Sequence, residues 1–248
     1  MFKIVLSEYD NYENDAKKLI DASKEIHINS EILYVEDERE PITDEDIIYF
    51  LYNGNKIREI VKEAKKAKAN IINEDFFMSN LLKDQCQRLL KENGVKVPKQ
   101  YDREEVKREY FPIYFKCKIH GGLNFDMDRK SLWDKIKNDN TFNKDEYYLE
   151  KTVNGKDGLK KESKIFYVNG DVFSQDYCDE VPDLLKRKAR KIADILKLEC
   201  FSFDLIETGN SVFVIDVNPA SGFFTSKNAR KSFLKMIKEK IVKKVTQK

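Results

Sequence analysis

The stretch FSFDLIETGNSVFVIDVNPASGFF, residues 201–224, carries the most information about the fold of this chain. Its two apolar runs, Cys200–Ile206 and Val212–Val217, have the length and composition of β-strands. Gly209 and Asn210 lie between the runs and are typical turn residues. The stretch therefore predicts a β-hairpin that is followed by a loop.

Three side chains with oxygen donors fall on one face of the predicted hairpin. Asp216 and Asn218 are two residues apart on one strand, and alternate side chains of a strand share a face. We expect strand pairing to bring Asp204 to the same face. Carboxylate and amide oxygens suit a hard cation such as Mg²⁺. The alternative is a polar strand edge that faces solvent, which the apolar run before Asp216 disfavours.

Composition narrows the class of protein. The chain has 248 residues, which suits one large domain or two modest ones. Lys and Arg number 46 against 44 Asp and Glu, and this near balance argues against a dedicated nucleic-acid-binding protein. Hydrophobic residues make up 41% of the chain, which argues against disorder. No apolar run approaches the roughly 20 residues that span a bilayer, so we expect no membrane association.

Cysteine and histidine usage limits the chemistry. The four cysteines form no Cys-x-x-Cys pair, and with only two histidines a structural zinc site is disfavoured. Scattered thiols suit a reducing compartment, and the N-terminal segment turns acidic after six residues, unlike a signal peptide. We therefore expect a cytoplasmic protein whose chemistry depends on carboxylates, lysines and a hard metal ion.

The first 97 residues alternate between strand and helix patterns. Short apolar runs predict strands at residues 2–6, 31–35, 46–52 and 69–72. Apolar residues at helical spacing predict helices at residues 14–26, 56–67 and 75–92. Such alternation indicates the α/β class, with a parallel sheet that helices cover on both faces.

The remainder of the chain has a different pattern. Besides the hairpin of residues 200–217, it contains predicted strands at residues 112–116, 125–127, 146–150, 164–168 and 171–173. Predicted helices lie at residues 131–138, 182–198 and 228–245. Asn169-Gly170 is a strong signal for a two-residue hairpin turn. Antiparallel neighbours with interspersed helices indicate the α+β class.

Taken in order, these residues resemble the ATP-grasp enzymes. Their pattern is an acid, about a dozen residues, then acid-x-Asn and a nearby glycine, which Asp204, Asp216, Asn218 and Gly222 match. Asp216 stands where Glu is commoner, and Ser221 where Pro is usual. The resemblance implies an ATP-grasp fold over residues 98–248, with a hinge near 150–152. Residues 1–97 would be a Rossmann-like parallel-sheet domain that precedes it.

The resemblance also implies a set of site residues. ATP and one or two Mg²⁺ ions, with Mn²⁺ as an alternative, would be the cofactors. The implied metal ligands are Asp204, Asp216 and Asn218. The implied nucleotide contacts are Lys116, Gly121, Gly122, Glu150, Lys151, Thr152 and Lys164. From the residues alone, Lys116 and Glu150 could equally be solvated groups at strand ends.

The first functional hypothesis is a carboxylate–amine ligase. In such enzymes ATP phosphorylates a carboxylate, and an amine attacks the acyl phosphate. Lys164, Lys116 and Asp216 would be the catalytic residues, with Lys164 in the place of the arginine that relatives carry. The acceptor would be a small molecule such as an amino acid.

The second hypothesis is a small-molecule kinase that resembles the inositol polyphosphate 5/6-kinases. His120-Gly121 after the phosphate lysine, Lys164-Ile165-Phe166 and residues 214–218 are similar to segments of those kinases. The acceptor of this reading would be a polyphosphorylated alcohol. The predicted substrate contacts, for either acceptor, are His120, Lys118, Gly222, Lys227 and Arg230. Residues 227–248 contain nine Lys or Arg and one acid, which suits a polyanion or the solvated face of an amphipathic helix.

Two expectations remain. A nucleotide-binding module without turnover is a third hypothesis, which the three convergent metal ligands disfavour. The resemblance also suggests a homodimer.

Overall fold

A computed structural model describes residues 1–7, 12–35, 40–51, 56–79, 81–102, 105–107, 110–118, 125–127, 147–154, 162–177, 180–209, 211–223 and 225–246. The chain forms two compact units. The larger unit contains Met1–Asn80, Lys164–Ser202 and Asn218–Lys248, and the smaller unit contains Leu81–Ser163 and Phe203–Val217. The predicted helix at 131–138 lies outside the described residues. Among the helices described, none combines the length and the apolar character needed to cross a bilayer.

A parallel sheet forms one part of the larger unit. Its strands follow the order β2-β1-β3-β4, and every neighbouring pair is parallel. The strands are β1 (Phe2–Leu6), β2 (Ser30–Tyr34), β3 (Ile47–Phe50) and β4 (Asn70–Ile71). Two helices connect them, α1 (Glu13–Glu25) and α2 (Ile57–Lys66). Every residue of β1 and β3 is buried, as expected for strands covered on both faces. The predicted α/β pattern of this region is confirmed.

The single helix predicted at residues 75–92 is wrong. The structure has two helices there, α3 (Glu74–Ser79) and α4 (Lys83–Glu92). Leu82 is extended, with φ −76° and ψ 160°, and its backbone N–H donates to Gln85 Oε1 at 3.0 Å. This contact satisfies the start of a new helix, so the chain can break a continuous helical pattern at little cost.

The smaller unit contains an antiparallel sheet of order β5-β8-β6-β7. Its strands are β5 (Gln100–Tyr101), β6 (Ile113–Cys117), β7 (Phe125–Met127) and β8 (Tyr147–Lys151). The strands predicted at residues 112–116 and 125–127 are confirmed, and they pair in antiparallel orientation. The two-residue strand β5 was not predicted, because it lies in a short stretch without alternation.

A third sheet has the order β10-β9-β11-β12. Its strands are β9 (Glu162–Val168), β10 (Asp171–Ser174), β11 (Cys200–Thr208) and β12 (Ser211–Asn218). Asn169 and Gly170 both have positive φ, 46° and 99°, which confirms the predicted hairpin turn. The last two helices are α5 (Asp183–Leu196) and α6 (Lys227–Thr246). The predicted division at residue 97 stays a prediction.

The core of the larger unit fixes the loop after β12. Phe233 of α6 contacts Tyr49 and Phe223, with ring centroids 4.7 and 5.0 Å away. Tyr49 is fully buried, and its hydroxyl donates to the carbonyl oxygen of Ser221. A buried phenol needs such a partner, so the loop is tied to the core by a polar contact as well as by packing.

Candidate active site

One face of the smaller unit's sheet buries charged and polar side chains. Strand register places Lys116 opposite Tyr148, and Tyr114 opposite Glu150. Since side chains alternate along a strand, these four point to one face and the intervening apolar residues point to the other. The other face packs into a hydrophobic cluster of Ile113, Phe115 and Leu149. The apolar cluster thus sets the register that brings the polar residues together.

Lys116 and Glu150 form a buried ion pair. Lys116 Nζ lies 2.9 Å from Glu150 Oε2, and the residues are only 5% and 1% exposed. Lys116 Nζ also donates to the carbonyl oxygen of Ile215 on β12. Glu150 Oε1 is buried and has no hydrogen-bond partner among the described residues. This orphaned oxygen can accept a hydrogen bond from a ligand.

Burial and charge shift the pKa of both partners upward. Burial raises the pKa of Glu150, and the charge of Lys116 only partly offsets that effect. For Lys116, burial acts to lower the pKa, but the charges of Glu150 and Asp216 together raise it above its usual value. The lysine is therefore held as a cation, as a phosphate-binding group requires.

A second lysine, Lys83, meets the acid predicted to bind metal. Lys83 is the first residue of α4, and its Nζ lies 3.3 Å from Asp216 Oδ2. The Lys83 side chain is buried, whereas that of Asp216 is about a quarter exposed, at 27%. The backbone N–H of Lys83 donates to the carbonyl oxygen of Lys118 at 2.8 Å, which anchors the start of the helix beside β6.

The sequence interpretation missed Lys83 as a site residue. Its only signal was a lysine within the predicted helix of residues 75–92, where a charge is usually solvated. Gln87, one turn further along α4, is also buried, and its Nε2 donates to the Ile215 carbonyl oxygen at 3.2 Å. An inward-facing polar stripe on α4 therefore holds β12, and tertiary packing alone reveals it.

A cavity of the smaller unit brings together part of the predicted site. Six of the predicted residues line it: Lys116, Glu150, Lys151, Thr152, Asp204 and Asp216. Tyr114, Val153, Glu162, Ile206 and Ile215 complete most of the wall. Apolar side chains beside convergent charges are the usual composition of a small-molecule site. Thr152 Oγ1 is a further buried atom without a hydrogen-bond partner among the described residues.

The donor set fits a hard cation that is shared with a ligand. Asp204 and Asp216 both face the cavity. Within the described residues, no group of three or more His, Cys, Asp or Glu converges on a metal position. Mg²⁺ is commonly held by one or two carboxylates plus phosphate oxygens and water, so two aspartates suffice.

Among the described residues, the other predicted ones do not line this cavity. Lys118 follows β6 in the smaller unit, whereas Lys164, Asn218, Gly222, Lys227 and Arg230 belong to the larger unit. The Asn218 side-chain oxygen accepts from the backbone N–H of Ala220 at 3.0 Å. His120, Gly121 and Gly122 lie outside the described residues.

Asn73 is a structural residue of the larger unit that the sequence did not indicate. It is buried, has a positive φ of 59°, and its Nδ2 donates to the carbonyl oxygens of Cys200 and Pro219 at 2.7 and 2.9 Å. Its Oδ1 accepts from the backbone N–H groups of Glu199 and Cys200 at 2.7 and 3.1 Å. All its amide capacity is used, so Asn73 joins the start of β11 to the end of β12.

No protein-family model matches the sequence, and no curated protein sequence matches it significantly. Solved structures do match. The ATP-grasp ligase PsnB, in complex with a phosphomimetic variant of its minimal precursor, Mg and ADP, aligns with a TM-score of 0.68 and 13% identity. That alignment covers 97% of this chain and 96% of PsnB. The chain has the ATP-grasp fold.

Two further ATP-grasp structures support the fold. The D-alanine–D-alanine ligase of Bacillus anthracis, complexed with ATP, aligns with a TM-score of 0.67 and 14% identity over 99% of this chain and 98% of its own. The macrocyclase MdnC of Microcystis aeruginosa MRC, bound to the precursor peptide MdnA, aligns with a TM-score of 0.66. Its identity is 11%, and the alignment covers 97% of this chain and all of MdnC. The fold predicted from residues 201–224 is confirmed.

Proposed function

We propose that this protein uses Mg-ATP to activate a carboxylate as an acyl phosphate, which an amine then attacks. The observation that carries the proposal is the polar cavity of the smaller unit, where Lys116, Glu150, Asp204 and Asp216 face one space in a chain with the ATP-grasp fold. The relatives of known structure include a D-alanine–D-alanine ligase and a macrocyclase, which supports ligation over other uses of ATP.

Each cavity residue has a role that its chemistry suits. Glu150, Lys151 and Thr152 would bind the nucleoside, and the orphaned oxygens of Glu150 and Thr152 are available for its polar groups. Lys116 would bind a phosphate as a fixed cation. Lys83 would assist it, since its ion pair with Asp216 holds the ammonium at the same wall.

Asp204, Asp216 and Asn218 would hold Mg²⁺, which would neutralise charge on the β- and γ-phosphates when bound. The assignment of Asn218, and of Lys164 to the transferred phosphate, depends on the family resemblance. The γ-phosphoryl group would pass to a carboxylate oxygen with loss of ADP. The amine would then form an amide bond as inorganic phosphate leaves.

The ligase and kinase hypotheses differ in the group that accepts the phosphoryl group: a carboxylate for the ligase and a hydroxyl for the kinase. Candidate acceptors are amino acids, inositol phosphates and, because PsnB and MdnC were solved with precursor peptides, peptide carboxylates. The test measures ADP release in the presence of amino acids, of inositol phosphates and of peptides. Each measurement is made with and without hydroxylamine. A hydroxamate product supports the acyl phosphate. A phosphorylated alcohol without hydroxamate would establish the kinase instead.

Variants connect the activity to the cavity. We expect Asp216→Ala and Asn218→Ala to abolish ADP release and to leave the fold intact by circular dichroism. Asp21→Ala, at an exposed position on α1, is the matched control and should turn over like the wild type. Unchanged ADP release by Asp216→Ala would contradict the assignment of Asp216 as a metal ligand.

A further inference from the structure

The ion pair between Lys83 and Asp216 joins a buried cation to an acid that is predicted to bind metal. Both residues belong to the smaller unit, and Lys83 Nζ lies 3.3 Å from Asp216 Oδ2. The Lys83 side chain is only 7% exposed, whereas that of Asp216 is 27% exposed. A buried ammonium needs a counter-charge, so the lysine depends on the acid more than the acid depends on the lysine.

The backbone on both sides of this pair is held in place. The N–H of Lys83 donates to the carbonyl oxygen of Lys118 at 2.8 Å, which ties the start of α4 to the chain just after β6. Gln87, one turn along α4, donates to the carbonyl oxygen of Ile215 at 3.2 Å. Ile215 is the residue before Asp216 on β12, so both charged residues stand on anchored segments. The pair therefore does not depend on two mobile side chains that meet at a surface.

The place of Lys83 in its helix makes the counter-charge more important. Lys83 is the first residue of α4, and the N-terminal end of a helix carries partial positive charge. This end disfavours a cation and favours an acid nearby. Asp216 therefore interacts favourably with the ammonium and with the helix end, and positive charge already surrounds its carboxylate.

A carboxylate in this position cannot easily serve two cations. If Asp216 held a divalent cation while Lys83 kept its present contact, like charges would lie side by side in a largely buried site. If Lys83 gave up the contact instead, its ammonium would lose its counter-charge. Both alternatives cost free energy. Phosphate oxygens remove this cost, because they can accept the ammonium and leave the carboxylate to the metal.

We infer that Lys83 is a resident cation at Asp216 in the nucleotide-free protein and makes metal binding depend on nucleotide. The inference rests on the proposed function, in which Asp216 binds Mg²⁺ and Lys83 contacts phosphate. The phosphates of ATP draw the ammonium away from Asp216, and the freed carboxylate then binds the metal. Metal and nucleotide therefore raise each other's affinity, and by the same factor.

The test measures two affinities on the full chain: that of Mn²⁺ without nucleotide, and that of the non-hydrolysable analogue AMPPNP without metal. Electron paramagnetic resonance gives the first, and isothermal titration calorimetry gives the second. We expect Lys83→Met to lower the Kd for Mn²⁺ and to raise the Kd for AMPPNP, each at least about tenfold, which lies within the usual range of coupling between sites. A residue that only supported the fold would not change the two affinities in opposite directions.

Lys91→Met is the matched control, because it removes the same charge from an exposed position on the same helix. It should leave both affinities unchanged. The gain in Mn²⁺ affinity should disappear in K83M/D216A, which lacks the carboxylate that the lysine covers. The gain should persist at high salt, since a buried pair is screened less than exposed charges. Lys83→Gln provides a second uncharged variant, and circular dichroism checks that each variant is folded.

Unchanged or weaker Mn²⁺ binding in both Lys83→Met and Lys83→Gln would overturn the inference. An equal gain in Lys91→Met would also overturn it, because the effect would then come from net charge alone. A gain that survives in K83M/D216A would overturn it by placing the metal away from Asp216. Asp216→Ala tests the proposed function separately. If this variant binds Mn²⁺ like the wild type when AMPPNP is present, the metal assignment fails, whereas a loss there without a gain in Lys83→Met defeats the inference alone.

Discussion

Each unit of the protein buries a lysine–carboxylate pair, and the two pairs differ in how completely they are satisfied. In the larger unit, Lys3 lies 3.4 Å from Asp46 and 3.2 Å from Glu31. Asp46 also accepts hydrogen bonds from the backbone N–H and the hydroxyl of Thr43, at 2.8 and 3.1 Å. In the smaller unit, Glu150 has Lys116 on one oxygen and no partner on the other among the described residues.

The pKa values of the two acids shift in opposite directions. Burial acts to raise the pKa of Asp46, but Thr43, Lys3 and the chain's amino terminus together lower it. Burial raises the pKa of Glu150, and Lys116 offsets this effect only in part. A buried pair with every atom satisfied serves the fold, whereas one with an orphaned oxygen costs free energy that ligand binding can recover. We therefore expect Lys3–Asp46 to be a structural pair and Lys116–Glu150 to be a functional one.

The largest expected effect is on catalysis. Lys116→Met should lower kcat/KM for ATP-dependent ADP release by about a thousandfold, which corresponds to about 4 kcal/mol of lost transition-state stabilisation. Lys3→Met is the matched control: it should retain wild-type turnover per folded molecule. Steady-state kinetics on both variants test this, and equal losses would show that the two lysines do not differ in function.

The next effect is on stability. Lys3→Met leaves the buried Asp46 with only one of its two cations, the amino terminus, since both lie 3.4 Å away. We expect the free energy of unfolding to fall by about 1–3 kcal/mol, because Glu31 is partly exposed and its pair with Lys3 is partly solvated. Urea denaturation at pH 7 measures the change. An unchanged midpoint would mean that the amino terminus and Thr43 satisfy Asp46 alone.

The pH dependence of stability should have opposite signs for the two acids. The folded-state pKa of Asp46 is lowered, so its stabilisation is present above the unfolded pKa of about 3.9 and is lost as pH falls through the folded pKa. Asp46→Asn should thus differ from the wild type most at neutral pH.

The folded-state pKa of Glu150 is raised, so its ionisation costs stability as pH rises above about 4.3. The wild type should therefore lose stability relative to Glu150→Gln over that rise. Urea titrations across pH 3–8 measure both differences. A difference of the same sign for both acids would contradict the comparison.

The smallest effect comes from two threonines. Thr43→Ala removes a hydroxyl that donates to Asp46 and should cost about 1 kcal/mol or less, because the site is partly exposed. Thr152→Ala removes a buried hydroxyl without a described partner and should be neutral or slightly stabilising. Its Kd for ATP should instead rise a few-fold, which isothermal titration calorimetry can measure.

Much of the fold was predictable because its signals are local. The short runs of apolar and aromatic residues at 112–116 and 146–150 predict the strands that place Lys116 and Glu150, and Asn169-Gly170 predicts its turn. The break between α3 and α4 was not predictable, because an extended Leu82 interrupts a helical pattern that looks continuous. Asn73 was missed for a similar reason: a single asparagine carries no periodic signal, and its four bonds join distant parts of the chain.

The sequence alone predicted the strands around Asp204 and Asp216, since apolar runs and turn residues are local signals. It also predicted the ATP-grasp fold, through the resemblance of its ordered motifs to that family. Only the tertiary structure decided which charges are buried. Lys83 and Lys3 look like solvated lysines in the sequence, yet packing encloses both and pairs them with Asp216 and Asp46. The physical reason is that burial and pairing depend on residues more than 40 and, for Lys83, more than 130 positions away, which no local pattern encodes.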